Sequence, residues 1–258
     1  IAIQADVTLC LIARKFGLHT KDGTDYSGDV VDIPLIPYQM ACPQTASHHM
    51  VAEKNASQAF EPVATLLTAA HSMKPRRQNS YKGSYGHVLV IGGNRVDGSQ
   101  GMGGAAILSA ASTMATGAGK ITVACHEAFH GSLLTSLPDA MTINLHDASG
   151  VKGLIKQASV VAIGMGLGRD EKAKALFIDY VQAAIENEKS IVIDADGLYH
   201  LASLHMDNHE LIAELREYST NHRVCLTPHS GEAARLLDQK ISKIESDRLQ
   251  AIKQCAAM

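Results

Sequence analysis

The sequence predicts an α/β fold, a mostly parallel sheet covered by helices on both faces. Three observations predict it. Short Val/Ile-rich runs of strand length recur along the second part of the chain, apolar without alternation, as strands buried on both faces are. Helical patterns follow these runs one by one. Glycine or small polar residues stand where each run turns toward its helix, the edge at which such sheets bind ligands.

Residues 1–37 hold short apolar runs (IAIQAD, TLCLIA, DVVDIPLI) and read as strands and turns at the end of some sheet. Residues 38–60 show no sustained period and read as a linker, and its adjacent His48 and His49 as loop residues rather than a metal site. From residue 61 the pattern changes. HVLVIGG is a strand entering a glycine loop, AAILSAASTMATG a helix, and ITVAC a strand. VVAIG is a strand, GMGLGRD a loop, and EKAKALFIDYVQAAIEN a helix with apolar positions 173, 176, 177, 180, 181 and 184. IVIDADG and LYHLASL, then VCLTPHSG and EAARLL, repeat the strand–turn–helix unit. SKIESDRLQAIKQCAAM reads as a closing helix.

Composition narrows the function. With 258 residues, 46% hydrophobic, the chain has ample core. A net charge of −3 implies no general polyanion binding, and Lys74, Arg76 and Arg77 read as a solvated cluster. Five dispersed cysteines without a C-x-x-C pair read as thiols of a reducing, cytoplasmic compartment. Residues 98–119 carry no charge, but their Gly, Ser, Thr and Ala suit close packing in a soluble core rather than a membrane span. Ile1 in place of Met reads as a piece of a longer chain.

The loops carry the chemistry. In Gly164-Met165-Gly166-Leu167-Gly168, missing Cβ atoms let backbone approach an anion. The stretch is neither a dinucleotide fingerprint nor a Walker loop, and a tight turn explains it equally. Gly103-Gly104-Ala105-Ala106 opens a helix whose start either faces a ligand or packs closely on the sheet. Asp194 ends a buried strand; Asp196 reads as a helix cap, a ribose ligand or a water-mediated Mg²⁺ ligand. In Thr227-Pro228-His229-Ser230-Gly231-Glu232, capping accounts for Ser230 and Glu232 and leaves the imidazole for a substrate carbonyl or phosphate, or for a structural hydrogen bond. The other histidines lack triad or H-E-x-x-H spacing, against hydrolase and metalloprotease chemistry.

Taken in order, KGSYGHVLVIGG, GGAAILSAASTMATGAGKITVA, IGMGLG, VIDADGL and LTPHSGEAARLL resemble the ADP- or ATP-dependent NAD(P)H-hydrate dehydratases, of ribokinase-like fold. Residues 1–37 look like the tail of a Rossmann-like NAD(P)H-hydrate epimerase domain, as in bifunctional repair enzymes. The resemblance implies three parts: an epimerase remnant over 1–37, a linker over 38–60, and a dehydratase domain over 61–258 lacking its C-terminal part. It implies lyase chemistry in which a nucleotide phosphoanhydride activates the ring hydroxyl of hydrated NADH or NADPH, with epimerase activity in the parent chain. ADP or ATP and Mg²⁺ are the implied cofactors, with K⁺ for the epimerase part; a homo-oligomer is implied, without nucleic acid or membrane.

Residue by residue, Ala105, Gly166 and His229 match the family's hydrate-binding positions, and Gly104, Gly164, Gly168, Asp194 and Asp196 lie near the phosphates. Ala106 replaces a frequent proline and Tyr199 a frequent asparagine. No G-x-G-D motif follows the His229 loop. Its aspartate is the family's expected base, so no catalytic residue is assigned and these 258 residues alone are expected to turn over little. The competing readings are a vitamin or sugar kinase of the same fold, which would leave a stable phosphorylated product, and a nucleotide-sensing module, which would bind without turnover. The missing dinucleotide fingerprint speaks against a nicotinamide oxidoreductase.

Overall fold

The computed structural model describes residues 3–33, 64, 66, 75–95 and 101–258. The chain forms two compact units, 1–75 and 76–258. The 38–60 linker, with His48 and His49, lies outside the described residues.

In the first unit, β1 (Val7–Leu11) and β2 (Asp29–Ile33) pair in parallel. A 3₁₀ turn (Phe16–His19) and the one-turn helix α1 (Gly23–Tyr26) make the crossover. The runs TLCLIA and DVVDIPLI give these strands, whereas residues 3–6 of IAIQAD are not strand. Val7, Leu9, Leu11 and Val31 are exposed on this ribbon.

The second unit alternates strand and helix as predicted. Its elements are β3 (His87–Ile91), α2 (Gly103–Ala115), β4 (Lys120–Cys125), α3 (His130–Ser136), β5 (Met141–Asn144), α4 (Ala148–Gln157) and β6 (Val160–Ile163). Then come α5 (Glu171–Glu186), β7 (Ser190–Ile193), α6 (Asp196–Met206), α7 (Glu210–Ser219), β8 (Val224–Leu226), α8 (Ser230–Leu236), α9 (Ile241–Ser246) and α10 (Arg248–Ala256). The six strands are all parallel, in the order β5-β4-β3-β6-β7-β8.

Period-two alternation divides the core. Leu89, Ile91, Val161, Ile163, Ile191 and Ile193 pack with α4 to α7 around Phe177 and Tyr180. Val90, Ile121, Val123 and Cys125 pack with α2 and α3, where Ala106 and Ala110 bring the helix close. A third, small cluster joins α8, α9 and α10 through Ala233, Ala234, Ile244 and Ala251.

The closing helix expected over 242–258 is two helices. Asp247 breaks the run: it leaves helical geometry at φ −146°, ψ 82° and caps α10 by accepting from the Gln250 amide at 2.9 Å. β5, α3, α4 and α7 add elements where the sequence pattern is silent.

Candidate functional site

Strand order reverses between β3 and β6, because the chain winds outward through β4 and β5 and returns to the other side. The carboxyl ends of these neighbours open a crevice, the usual ligand position in such sheets. Registers align the ends of β3, β6, β7 and β8: Ile91 pairs with Ile163, Ile163 with Ile193, and Ile193 with Leu226. Gly92, Gly164, Asp194 and Thr227 therefore leave the sheet side by side.

The β3 and β6 loops are bound to each other. The Gly93 amide donates to the Met165 carbonyl at 2.9 Å and the Asn94 amide to that of Gly166 at 2.7 Å. The buried Asn94 side chain adds a donor to the Leu167 carbonyl at 3.0 Å, while its Oδ1 accepts from the Arg95 amide at 2.8 Å. His146 Nε2 meets that same oxygen at 3.1 Å. Since the oxygen only accepts, His146 presents an N–H there. Burial, His126 and Lys172 lower the pKa of His146 against the raising effect of Asp170.

Contact explains several glycines. A Cβ on Gly92 would stand 2.3 Å from the Met165 carbonyl oxygen, and one on Gly164 2.0 Å from that of Asp194. Gly166, at φ +72°, would put a Cβ 2.6 Å from the Met102 carbonyl oxygen, so the start of α2 touches the β6 loop. Gly101 and Gly103 make room for the Phe129 ring. Gly104 differs: it is exposed and a Cβ there meets nothing within 4 Å. Met102 gives α2 no side-chain cap, and no bond from the Gly103 or Gly104 amide to another described residue is present. Among the described residues the first-turn amides of this thirteen-residue helix thus have no side-chain partner, and Gly104 in that turn is exposed. Ala105, half-buried, follows on the same turn.

Asp196 is not a free carboxylate in the cleft. It is 4% exposed; Oδ2 accepts from the Gly168 amide at 3.0 Å and Oδ1 from Arg169 Nε at 2.7 Å. One turn on, His200 Nε2 meets the Gly168 carbonyl at 2.8 Å, so the ring is the donor. Residues i and i+4 of α6 thus hold both polar groups of one peptide glycine. Burial lowers the pKa of His200, outweighing its bond to Gly168 and the charge of Asp196. Asp194 is half-buried and its Oδ1 accepts from the Ala195 amide at 2.8 Å. Ala195 occupies φ 49°, ψ −117°, a sparsely populated region stabilised by this turn.

The imidazole of His229, not the Ser230 hydroxyl, is the cap of α8. His229 Nδ1 accepts from the amides of Gly231 at 3.0 Å and Glu232 at 3.4 Å, and Glu232 Oε2 accepts from the His229 amide at 2.9 Å. Ser230 instead binds Glu245. The expectation that capping leaves the imidazole unexplained is corrected: a ring nitrogen two atoms from Cβ reaches the first-turn amides as a short carbonyl does. The ring remains 72% exposed, with Nε2 3.4 Å from Glu232 Oε1.

The structure thus joins Gly164, Gly166, Gly168, Asp194, Asp196 and the Gly103–Ala105 turn into one loop cluster. His229 stands on the same edge two strands away, without a hydrogen bond to that cluster. It borders a separate apolar cavity of about 540 Å³ along β8, lined by Leu226, Ala233, Ile244 and Ala251 among others. The sequence places Gly92-Gly93-Asn94 at this edge, but not the bonds that Asn94 makes; His200 was not singled out, since a buried side chain bonding a distant carbonyl leaves no spacing signal. Among the described residues no group of three or more His, Cys, Asp or Glu can hold a metal ion. No described helix is long and apolar enough to cross a membrane.

Residues 88–258 match the protein family described as NAD(P)H-hydrate dehydratase. A bifunctional NAD(P)H-hydrate repair enzyme of Coxiella burnetii is 32% identical over 251 residues, 97% of this chain and 44% of that one. An ADP-dependent (S)-NAD(P)H-hydrate dehydratase of Lactococcus lactis is 36% identical over 70% of this chain and 59% of its own. Among solved structures, a ribokinase-like superfamily protein of Enterococcus faecalis superposes with a TM-score of 0.56 at 28% identity, over 69% of this chain and 58% of that one. A Bacillus subtilis ADP/ATP-dependent NAD(P)H-hydrate dehydratase crystallised with ATP and Mg²⁺ shares the fold at 24% identity, with a TM-score of 0.52, over 72% of this chain and 59% of that one. The chain spans about half the length of the curated relatives it matches.

Proposed function

We propose that this chain, which belongs to the NAD(P)H-hydrate dehydratase family, binds hydrated NADH or NADPH for ADP- or ATP-dependent dehydration back to the reduced cofactor. The observation that carries the reading is the joined β3 and β6 loops with the start of α2, which has no side-chain cap among the described residues, against them. Hydroxide is a poor leaving group and phosphate a good one, so the reaction needs phosphoryl transfer to the ring hydroxyl before elimination. Backbone amides from a helix start suit the charge that develops on the phosphate.

In this reading Ala105, Gly166 and His229 contact the hydrate, the His229 ring being 72% exposed with Glu232 beside its Nε2. Gly104, Gly164 and Gly168 shape the surface toward the phosphates. Asp194 is the carboxylate that can take part in holding Mg²⁺, because both oxygens of Asp196 are engaged. Mg²⁺ usually binds through one or two carboxylates together with substrate phosphates, so the residues fit an ion that arrives with the nucleotide. Residues 1–37 are proposed as part of an epimerase domain whose K⁺ site lies in other residues, 38–60 as a linker, and 61–258 as dehydratase sequence. A homo-oligomer in a reducing cytoplasm completes the proposal; Cys10, Cys125, Cys225 and Cys255 are all free thiols.

The sequence holds no G-x-G-D motif, so binding tests the reading more directly than turnover. Calorimetric titration with hydrated NADH should show saturable binding that unhydrated NADH does not match. Equal binding of both forms, or of neither, contradicts the reading; a stable phosphorylated vitamin or sugar in the presence of ATP points to a kinase.

A further inference from the structure

Two guanidinium groups lie against the ring of Tyr199, in the first turn of α6. Arg169 Cζ is 4.9 Å from the ring centroid and Arg235 Cζ 5.1 Å. Arg169 directly follows Gly168, and Arg235 lies on α8, the helix that His229 caps. The pair thus bridges the β6 loop and the His229 element. Arg169 is anchored by Nε to the buried Asp196, its side chain is 53% exposed, and its two terminal nitrogens are unbonded among the described residues. Among the described residues no carboxylate pairs with Arg235. Among the described residues these two cations are paired with one carboxylate, Asp196.

We propose that Arg169 and Arg235, buttressed by Tyr199, form a phosphate-binding subsite. Planar guanidinium forks match phosphate oxygens bidentately. The aromatic face and the Asp196 anchor restrict the side chains before the ligand arrives, lowering the ordering cost of binding. The class of ligand is a phosphate or diphosphate ester. Its source, the nucleotide or the nicotinamide dinucleotide, rests on the dehydratase reading; the subsite does not. Tyr199 is then a specificity element rather than a neutral replacement of a polar residue.

The test is calorimetric titration of the full chain with inorganic pyrophosphate at low ionic strength. The unaltered protein binds it, and Arg235→Ala weakens binding on the order of tenfold or more, the loss of one charged hydrogen-bond pair. Tyr199→Phe retains binding and Tyr199→Leu loses it. Parallel titrations with ADP and with NADPH identify the source: Arg235→Ala weakens one of the two. Unchanged melting of Arg235→Ala separates lost contact from lost fold; if it melts early, Arg235→Gln replaces it. No pyrophosphate binding by the unaltered protein, or equal binding by the arginine variant, overturns the subsite. Pyrophosphate binding without hydrate binding leaves the subsite standing and overturns the dehydratase reading instead.

Discussion

At His229 two roles meet in one ring, cap and proposed ligand contact, and substitution separates them. Aspartate is a strong N-cap but has no imidazole. His229→Asp should therefore melt near the unaltered protein while losing most affinity for hydrated NADH. His229→Ala should lose both, at about 1 kcal/mol of stability. Thermal melts beside titrations check this; full affinity in His229→Asp would reduce the imidazole to a cap. His200 and His87 make a pH prediction. Burial lowers both pKa values, with Lys120 adding to the effect at His87 and the Gly168 bond opposing it at His200. Below the ordinary histidine range of about 6.5 the unfolded chain takes up protons that the folded chain refuses. Stability should thus fall as pH drops through that range, and His200→Gln, which keeps an N–H for Gly168, should flatten the fall. Melting from about pH 7.5 to about 5.5, roughly one unit either side of that value, checks the slope. The glycines and acidic residues of the candidate site stood out in the sequence because they gather where apolar strands turn toward helices, the edge at which such sheets bind ligands. His200 did not, and Asn94 was legible only as part of Gly92-Gly93-Asn94, because their partners are carbonyls 32 and 73 residues away in sequence.

At the scale of the element, the loops divide glycines that packing requires from the one that it does not. Gly164→Ala forces a Cβ to within 2.0 Å of the Asp194 carbonyl at φ +120°, so a loss of roughly 3 kcal/mol is expected by denaturant unfolding. Gly104→Ala meets open space in the first turn of α2 and should cost nothing, or gain up to about 1 kcal/mol from helix propensity. If the α2 start is a ligand surface, the same substitution weakens ligand binding while stability holds. The helices with clear apolar spacing, α5 above all, were legible: Ala173, Phe177, Tyr180, Val181 and Ala184 are all buried. The break at Asp247 was not, because the apolar period runs on across it and only the side-chain cap reveals the new start.

For the whole molecule, alternation of apolar strand and helix was enough to predict a parallel sheet with two covered faces. The order of strands was not legible, since it is set by which crossovers pack together rather than by any local pattern. Elements over 126–157 escaped notice because short polar stretches interrupt their apolar spacing. The packing makes a labelling prediction. Burial pushes the Cys125 thiol up to about 11, whereas Cys225 is exposed on β8. Under native conditions a thiol reagent should modify Cys225 promptly and leave Cys125 intact until the second unit unfolds. Peptide mapping of the labelled chain reads the difference, and prompt labelling of Cys125 would contradict the packed α2–β4 core.

The most direct test is a crystal structure of the chain with hydrated NADH. The account predicts the hydrated ring at the carboxyl ends of β3 and β6, against Gly166 and the α2 turn at Ala105. A ligand seated instead in the apolar cavity along β8, between Leu226 and Ala251, would contradict it.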